Sequence, residues 1–401
     1  MKSSGTLFQF YNCRILRSSR IYKEDLWVRD SKIVNPEPIF YDEKIVADVK
    51  IDCKGALIAP GFIDLQINGG FGVDFSTGNY NVPQNPVIKV ASGLLQHGVT
   101  SFCPTVITSS DETYHQIIPF IKKQNGGKYG AGVLGVHVEG PFINKEKKGA
   151  HPVQYIKELK NGYSDIINTY GNTENICLIT IAPELDPDGI VISELVTQGI
   201  TVSLGHSNSS LLQGETAIRH GASFITHLFN AMLPFHHRDP GLVGLLTSLK
   251  IPKDKKVFYG IIADGKHTHP ATLRIAFHSN PKGLVLVTDA MSAMGLKSGL
   301  YCIGEQKVEV TNDRAVVYGT NTLSGSIASM DFCVRFLMES TSCSLEQAIE
   351  CATLHPAQVL GITHKKGTLD FGTDADFILL DKNITVQATY IDGLCVWEKG
   401  L

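Results

Sequence analysis

Ile200-Thr201-Val202-Ser203-Leu204-Gly205-His206, a helical run from Leu211 to His220, and then Ser223-Phe224-Ile225-Thr226-His227-Leu228-Phe229-Asn230 form the stretch on which the reading of the fold turns. Each flanking segment is a near-continuous apolar run of strand length, the signature of a strand buried on both faces. Strand, helix and strand in that order make a βαβ unit with parallel strands. Both strands lead into a histidine. Upstream, Gly135-Val136-His137-Val138-Glu139-Gly140-Pro141 has the same form and carries a carboxylate at its end, and downstream Leu284-Val285-Leu286-Val287-Thr288-Asp289-Ala290 ends in an acid.

The same alternation runs through the middle of the chain. Eight buried strands are expected at Leu57 to Gln66, Thr100 to Val106, Gly132 to Glu139, Ile176 to Pro183, Ile200 to His206, Ser223 to Asn230, Val257 to Asp264 and Leu284 to Asp289. Helices are expected between them over Pro86 to Gln96, Glu112 to Lys123, Gly189 to Gln198, Leu211 to His220 and Ala271 to His278. Eight apolar strands alternating with helices predict an α/β fold whose parallel sheet closes as a (β/α)8 TIM-like barrel. No sequence repeat supports a solenoid instead. Lys307 to Tyr318 reads as a hairpin around Asn312-Asp313, inserted after the eighth strand, and helices over Ile327 to Glu339 and Leu345 to Leu354 close the barrel.

The two ends have a different texture. Residues 1–56 and 366–401 hold short β-like runs, such as Leu7 to Tyr11, Leu26 to Val28 and Phe377 to Leu380, among polar turns and Gly367, Gly372 and Gly393. Neither end easily buries a core alone. They are expected to pair into one small β-sandwich domain, with the barrel, residues 57–365, inserted between them.

Bulk composition excludes several classes. Of 401 residues, 43% are hydrophobic and 19% charged, which is globular usage, and the formal net charge of -3 comes with no block of like charges. That suggests no nucleic-acid partner and no anionic membrane. Nine cysteines without a Cys-x-x-Cys pair read as reduced, packed thiols. With no signal-peptide core and no long apolar run, a cytoplasmic location is expected.

In such barrels the chemistry sits at the carboxyl ends of the strands. The polar residues fall there: Asp64, Gln66 and Asn68 after strand one, Glu139 after three, Glu184 after four, His206 after five, His227 after six, Asp264 and His267 after seven and Asp289 after eight. Glu139, His206 and His227 combine a hard ligand with two borderline ones, a set that suits one divalent cation and leaves a position for water. Zn²⁺ is the expected ion, with Fe²⁺, Co²⁺ and Mn²⁺ as alternatives. A second metal would need a His-x-His after strand one, where Asp64-Leu65-Gln66-Ile67-Asn68 stands, so one metal is expected. Asp289 is placed as proton shuttle for a metal-activated water, and His151 on the loop after strand three as the group that polarises a carbonyl. Asn230, Arg238 and His267 could form a basic, hydrogen-bonding end of the pocket. The guanidinium makes a phosphorylated substrate plausible, although a solvated loop arginine is the plainer reading of Arg238 taken alone.

At this point the chain resembles the N-acetylglucosamine-6-phosphate deacetylases of the amidohydrolase superfamily, in their single-metal form. The resemblance runs from about Ala59 to Asp381. It is carried by Pro60-Gly61-Phe62-Ile63-Asp64-Leu65-Gln66-Ile67-Asn68-Gly69, His137-Val138-Glu139-Gly140-Pro141-Phe142, Gly205-His206-Ser207 and Thr226-His227-Leu228-Phe229-Asn230-Ala231-Met232. Further matches are Ala263-Asp264-Gly265-Lys266-His267, Val287-Thr288-Asp289-Ala290, Leu323-Ser324-Gly325-Ser326 and Gly372-Thr373-Asp374-Ala375-Asp376. It implies that Glu139, His206 and His227 bind the metal, that Asp289 is the acid and base, and that His151 holds the acetyl carbonyl. It also implies that Ala150, Asn230, Ala231, Arg238, His267 and Leu323, Ser324 and Gly325 contact a sugar phosphate, and Asp264 is counted with them. In this family the phosphate-binding arginine can come from the neighbouring subunit, so the resemblance implies a homodimer with shared sites. Lys266 and Ser324 depart from the family, where an apolar residue and an alanine are common.

The expected reaction is therefore hydrolysis of N-acetyl-D-glucosamine 6-phosphate to D-glucosamine 6-phosphate and acetate, in amino-sugar metabolism. Two rivals are a different amidohydrolase acting on an unphosphorylated substrate and a catalytically silent barrel used for binding. The first has no use for Arg238 with His267. The second should have lost ligands, and here all three stand with Asp289.

Overall fold

Eight parallel strands follow one another around the computed structural model: β1 Phe62–Ile67, β2 Val99–Ile107, β3 Val136–Glu139, β4 Ile176–Ile181, β5 Thr201–Leu204, β6 Phe224–Ile225, β7 Phe258–Ile261 and β8 Leu284–Leu286. The residues described are 5–83, 85–303, 306–311, 314–320 and 323–400. Each strand pairs with the next in parallel register. The barrel closes through Ile67 opposite Ala290, with Asp289 N–H donating to Gln66 O at 2.8 Å and Asn68 N–H to Ala290 O at 2.8 Å.

Side chains from alternate positions serve two cores. Val136, Val138, Leu204, Ile225 and Leu286 pack outward against helix residues such as Leu195, Ile218, Leu273 and Leu337. Cys103, Leu178, Phe224, Phe258, Val285 and Val287 form a separate apolar cluster, joined by Ala357 and Val359. Each such side chain contributes about 1.5–3 kcal/mol on burial, so two-sided burial explains why these strands are apolar throughout. The helix Leu211–Arg219, between β5 and β6, starts at a capping box of Ser210 and Gln213, in which each side chain satisfies a backbone group of the other's turn.

The expected first strand is two strands. Leu57–Pro60 pairs with Arg14–Arg17 and Phe377–Leu380 in a sheet of the chain ends, and only after Gly61 does β1 enter the barrel. A side chain at Gly61 would strike Thr100, which explains the glycine at this crossing. The sixth strand is also shorter than its apolar run: the left-handed φ of His227 breaks the regular ladder after Ile225, although Thr226 N–H and Leu228 N–H still reach Leu204 O and Gly260 O. The expected hairpin is part of a four-stranded antiparallel sheet of Gly299–Ile303, Gln306–Val310, Ala315–Val317 and Leu323–Gly325, and its turn at 312–313 lies outside the described residues. The last expected helix, Leu345 to Leu354, is shortened to Leu345–Glu350, and a second helix, Leu354–Val359, starts where it was expected to end.

The chain ends form a β-sandwich. One sheet has Lys32–Ile33, Leu26–Arg29, Phe8–Tyr11 and Val49–Asp52, the other the strands from Leu394–Glu398 to Arg20–Tyr22. Phe10 of the first meets Phe377 and Tyr390 of the second edge-on, at ring-centroid distances of 4.9 and 5.2 Å. Among the described residues no helix is long and apolar enough to cross a membrane.

Candidate active site

Glu139 is the last residue of β3, and His206 and His227 lie two residues beyond β5 and β6. These neighbouring strand ends bring three donor atoms together. Glu139 Oε1 lies 3.1 Å from His206 Nε2 and 3.0 Å from His227 Nε2, and the two imidazole nitrogens are 3.1 Å apart. Three ligands with bonds of about 2.0–2.2 Å to a common ion stand roughly this far apart. His206 Nδ1 is 2.7 Å from the carbonyl of Lys147, which can only accept, so Nδ1 carries the proton and the Nε2 lone pair faces the triangle. That is the tautomer of a metal ligand. The donor set therefore fits a single divalent cation.

Charge in the cluster tells the same story. Burial pushes the Glu139 carboxyl up, but the hydrogen bonds and charges of His206 and His227 overcome it and hold it well below the usual range. Burial alone would lower His227, yet Glu139 raises it to about 9, so without a cation a proton takes that place. Backbone strain is present here as well. His206, His227 and Asp289 have φ of 49°, 24° and 45°, and Phe229 and Ala231 share the left-handed region. Side chains other than glycine avoid this region, and it recurs where structure over-determines a functional position.

Asp289 stands beside the triangle, three residues beyond β8. Asn68 Nδ2 donates to its Oδ1 at 2.7 Å, and Gln66 Nε2 reaches both Asp289 Oδ1, at 3.2 Å, and Glu139 Oε1, at 3.0 Å. After β1, where a second metal would need histidines, two amides hold the carboxylates in place. Burial, with the Glu139 charge, pushes the Asp289 carboxyl up to about 6, against His227 and Asn68.

His151 is buried and its ring centroid lies 4.5 Å from that of His206. Glu139, His151 and His206 also fall within 4.8 Å of one another through their ligand atoms, so His151 competes with His227 for the third ligand position. The hydrogen bonds of His151 favour His227. Thr108 N–H donates to His151 Nδ1 at 3.4 Å and the Thr108 hydroxyl lies 2.7 Å from the same atom, which leaves Nε2 protonated and unable to ligate. Burial pushes His151 down to about 3, so it is a neutral hydrogen-bond donor.

The remaining expected residues divide. His267 Nδ1 lies 2.6 Å from Asp264 Oδ2, and Asp264 Oδ1 accepts the N–H of Lys266 and His267 at 2.8 and 2.7 Å. Burial lowers His267, but the Asp264 partner outweighs it and raises it above its ordinary value. Asp264, Leu323 and Gly325 line a cavity of about 360 Å³ with Lys266 and Arg314. Asn230 and Ala231 are half-buried on the strained loop beside His227, with Asn230 Nδ2 on Leu228 O at 3.4 Å, and Ser324 is half-buried in its strand. Ala150 is exposed on the loop before His151. Arg238 is exposed, and its guanidinium bonds to His237 Nε2 at 3.2 Å rather than to the residues above. Glu184 instead holds loops together, accepting from Asn144, Ser207 and Asn208. Sequence reasoning missed Thr108 and the tethering role of Gln66 and Asn68. Only the absence of histidine after β1 hinted at the latter.

Comparison with known proteins is in keeping with this geometry. Residues 57–396 match the amidohydrolase family. The chain is 56% identical over 398 residues to an N-acetylglucosamine-6-phosphate deacetylase of Danio rerio, covering 99% of this chain and 98% of that one. It is 57% identical to the Mus musculus protein of the same name, covering 99% and 97%. A Mycobacterium smegmatis deacetylase variant, solved in complex with N-acetyl-D-glucosamine-6-phosphate, superposes with a TM-score of 0.82 at 28% identity, covering 98% of this chain and 100% of that one.

Proposed function

The chain belongs to the N-acetylglucosamine-6-phosphate deacetylases of the amidohydrolase family, and from that premise we propose that it hydrolyses the acetamide of N-acetyl-D-glucosamine 6-phosphate, giving D-glucosamine 6-phosphate and acetate. The observation that carries the reading is the Asp289 carboxylate, tethered by Gln66 and Asn68 beside the Glu139–His206–His227 triangle. Glu139, His206 and His227 would hold one divalent ion, Zn²⁺ by the donor set. Such an ion, when bound, acidifies a water toward about pH 7.

The protein's own groups do the rest. Asp289 accepts the proton of the attacking water and returns it to the departing nitrogen, while His151 donates its Nε2–H to the acetyl oxygen. The Asp264–His267 pair, with Asn230, Ala231, Ala150 and the Leu323 to Gly325 strand, would receive the sugar phosphate. Arg238 would serve the site of the neighbouring subunit in a homodimer, a reading in keeping with its exposure and with a guanidinium that meets His237 beside it. The barrel, which starts at β1 rather than at 57 and runs to about 365, would be the catalytic domain and the two chain ends with Leu57–Pro60 its companion, in a cytoplasmic enzyme. Acetate release from the phosphorylated substrate, abolished by chelator and restored by Zn²⁺, is the expected result. Equal turnover of N-acetylglucosamine without phosphate would overturn the substrate assignment.

A further inference from the structure

Asp64 takes no part in the steps above, yet it is fully buried at the seam where β8 meets β1. Its three hydrogen bonds come from uncharged donors. The Thr288 hydroxyl lies 2.5 Å from Oδ2, Thr288 N–H 3.3 Å from Oδ1, and Gln66 N–H 3.2 Å from Oδ1. Burial pushes its carboxyl up to about 7 against these bonds. A closed seam alone does not require a buried carboxylate, because backbone pairs already join the two strands.

What the carboxylate holds is the local backbone on both sides of the reaction centre. Opposite β2, residues Asp64 and Ile67 pair with Phe102 and Pro104, so β1 carries one residue more than its partner, a bulge. The bond from Gln66 N–H ties that bulge, and Gln66 is the amide that reaches Glu139 and Asp289. On the other strand, the Thr288 hydroxyl that donates to Asp64 also accepts Ala290 N–H at 3.3 Å, so residues 288 and 290 are both tied around Asp289 and its left-handed φ of 45°. Asp289 N–H is itself fixed on Gln66 O at 2.8 Å.

We infer that Asp64 and Thr288 form a clasp that positions Gln66 and Asp289 for the reaction, an inference that rests on the function proposed above. Asp64 and Thr288 are positioning residues, since they act through their neighbours. The clasp sets how well the proton shuttle is aimed, not how tightly substrate binds. Small misplacement of a reacting group costs up to about a hundredfold in rate.

The test compares Asp64→Asn, Thr288→Val and Thr288→Ser with the unaltered enzyme. Acetate release by the unaltered enzyme tests the functional reading on its own. Thr288→Val is expected to lose about tenfold or more in kcat with KM and metal content unchanged, and Thr288→Ser to stay within about twofold. Asp64→Asn should fall between the two. Independently of turnover, amide exchange across residues 288–291 should quicken in Thr288→Val and not in Thr288→Ser. The clasp is wrong if folded Thr288→Val keeps its kcat, if its loss lies in KM, or if Thr288→Ser is equally impaired. Failure of both Thr288 variants to fold would also overturn it, by making the contact a determinant of stability.

Discussion

A single carboxylate shows how the environment defines the role of a residue. Glu139 and Asp289 share Gln66 as a neighbour, but the two imidazoles hold Glu139 ionised while burial and the Glu139 charge push Asp289 up to about 6. Paired acids driven apart in this way commonly divide ligand from acid/base duty. Replacing Asp289 with asparagine keeps the shape and the Asn68 contact region but removes the proton acceptor. Metal content and melting temperature should stay close to those of the unaltered protein, while kcat falls about 100-fold or more. Retained turnover in Asp289→Asn, measured as acetate release, would remove the shuttle from the mechanism.

At the level of elements, the helix Met330–Thr341 illustrates how a structural ion pair differs from a catalytic one. Its buried stripe of Met330, Cys333, Val334 and Leu337 follows helical spacing, and its first turn presents Asp331 to His97 at 3.0 Å and to Arg335 at 2.9 Å. Burial raises the Asp331 carboxyl, but His97, Ser329 and Arg335 prevail and depress it to about 2. A folded value below the ordinary 3.8 means that the contribution to stability is present above pH 4 and is lost as pH falls toward 2. We expect Asp331→Asn to be less stable than the unaltered protein by about 2 kcal/mol at pH 5. That gap should close toward zero at pH 2, as followed by denaturant unfolding. A gap that is constant across this range would assign the loss to packing.

The whole molecule brings in the question of assembly. If Arg238 completes a partner's site, Asp289→Asn and Arg238→Ala chains are each defective alone but complement each other when mixed. Random pairing in a twofold dimer makes half the dimers mixed, each with one intact site, so activity should recover to about a quarter of normal. No recovery after subunit exchange, verified by co-purification of differently tagged chains, would return Arg238 to its own chain's surface.

Much of the molecule follows from local sequence. Apolar runs such as Ile176 to Ile181 and Leu284 to Leu286 have no solvated face, so they demand cover on both sides, which a parallel sheet with helices between its strands provides, and eight such strands point to its closure as a barrel. That Glu139, His206, His227 and Asp289 gather at one mouth was legible for the same reason, since strand ends in such a barrel converge whatever the loops do. The break at Gly61 was not legible, because Leu57 and Ile58 are as apolar as Ile63 and Leu65 and only their partners in distant strands separate them. Nor could sequence pattern reveal the left-handed backbone at His206, His227 and Asp289, the Thr108 bond that denies His151 a ligand's lone pair, or the tethers from Gln66 and Asn68. Those depend on atoms brought together from segments far apart in the chain. The sequence by itself determined which surfaces must be buried and which groups lie at the barrel mouth; the tertiary structure alone decided their tautomers, strain and aim, because hydrogen-bond direction is a property of the assembled neighbours.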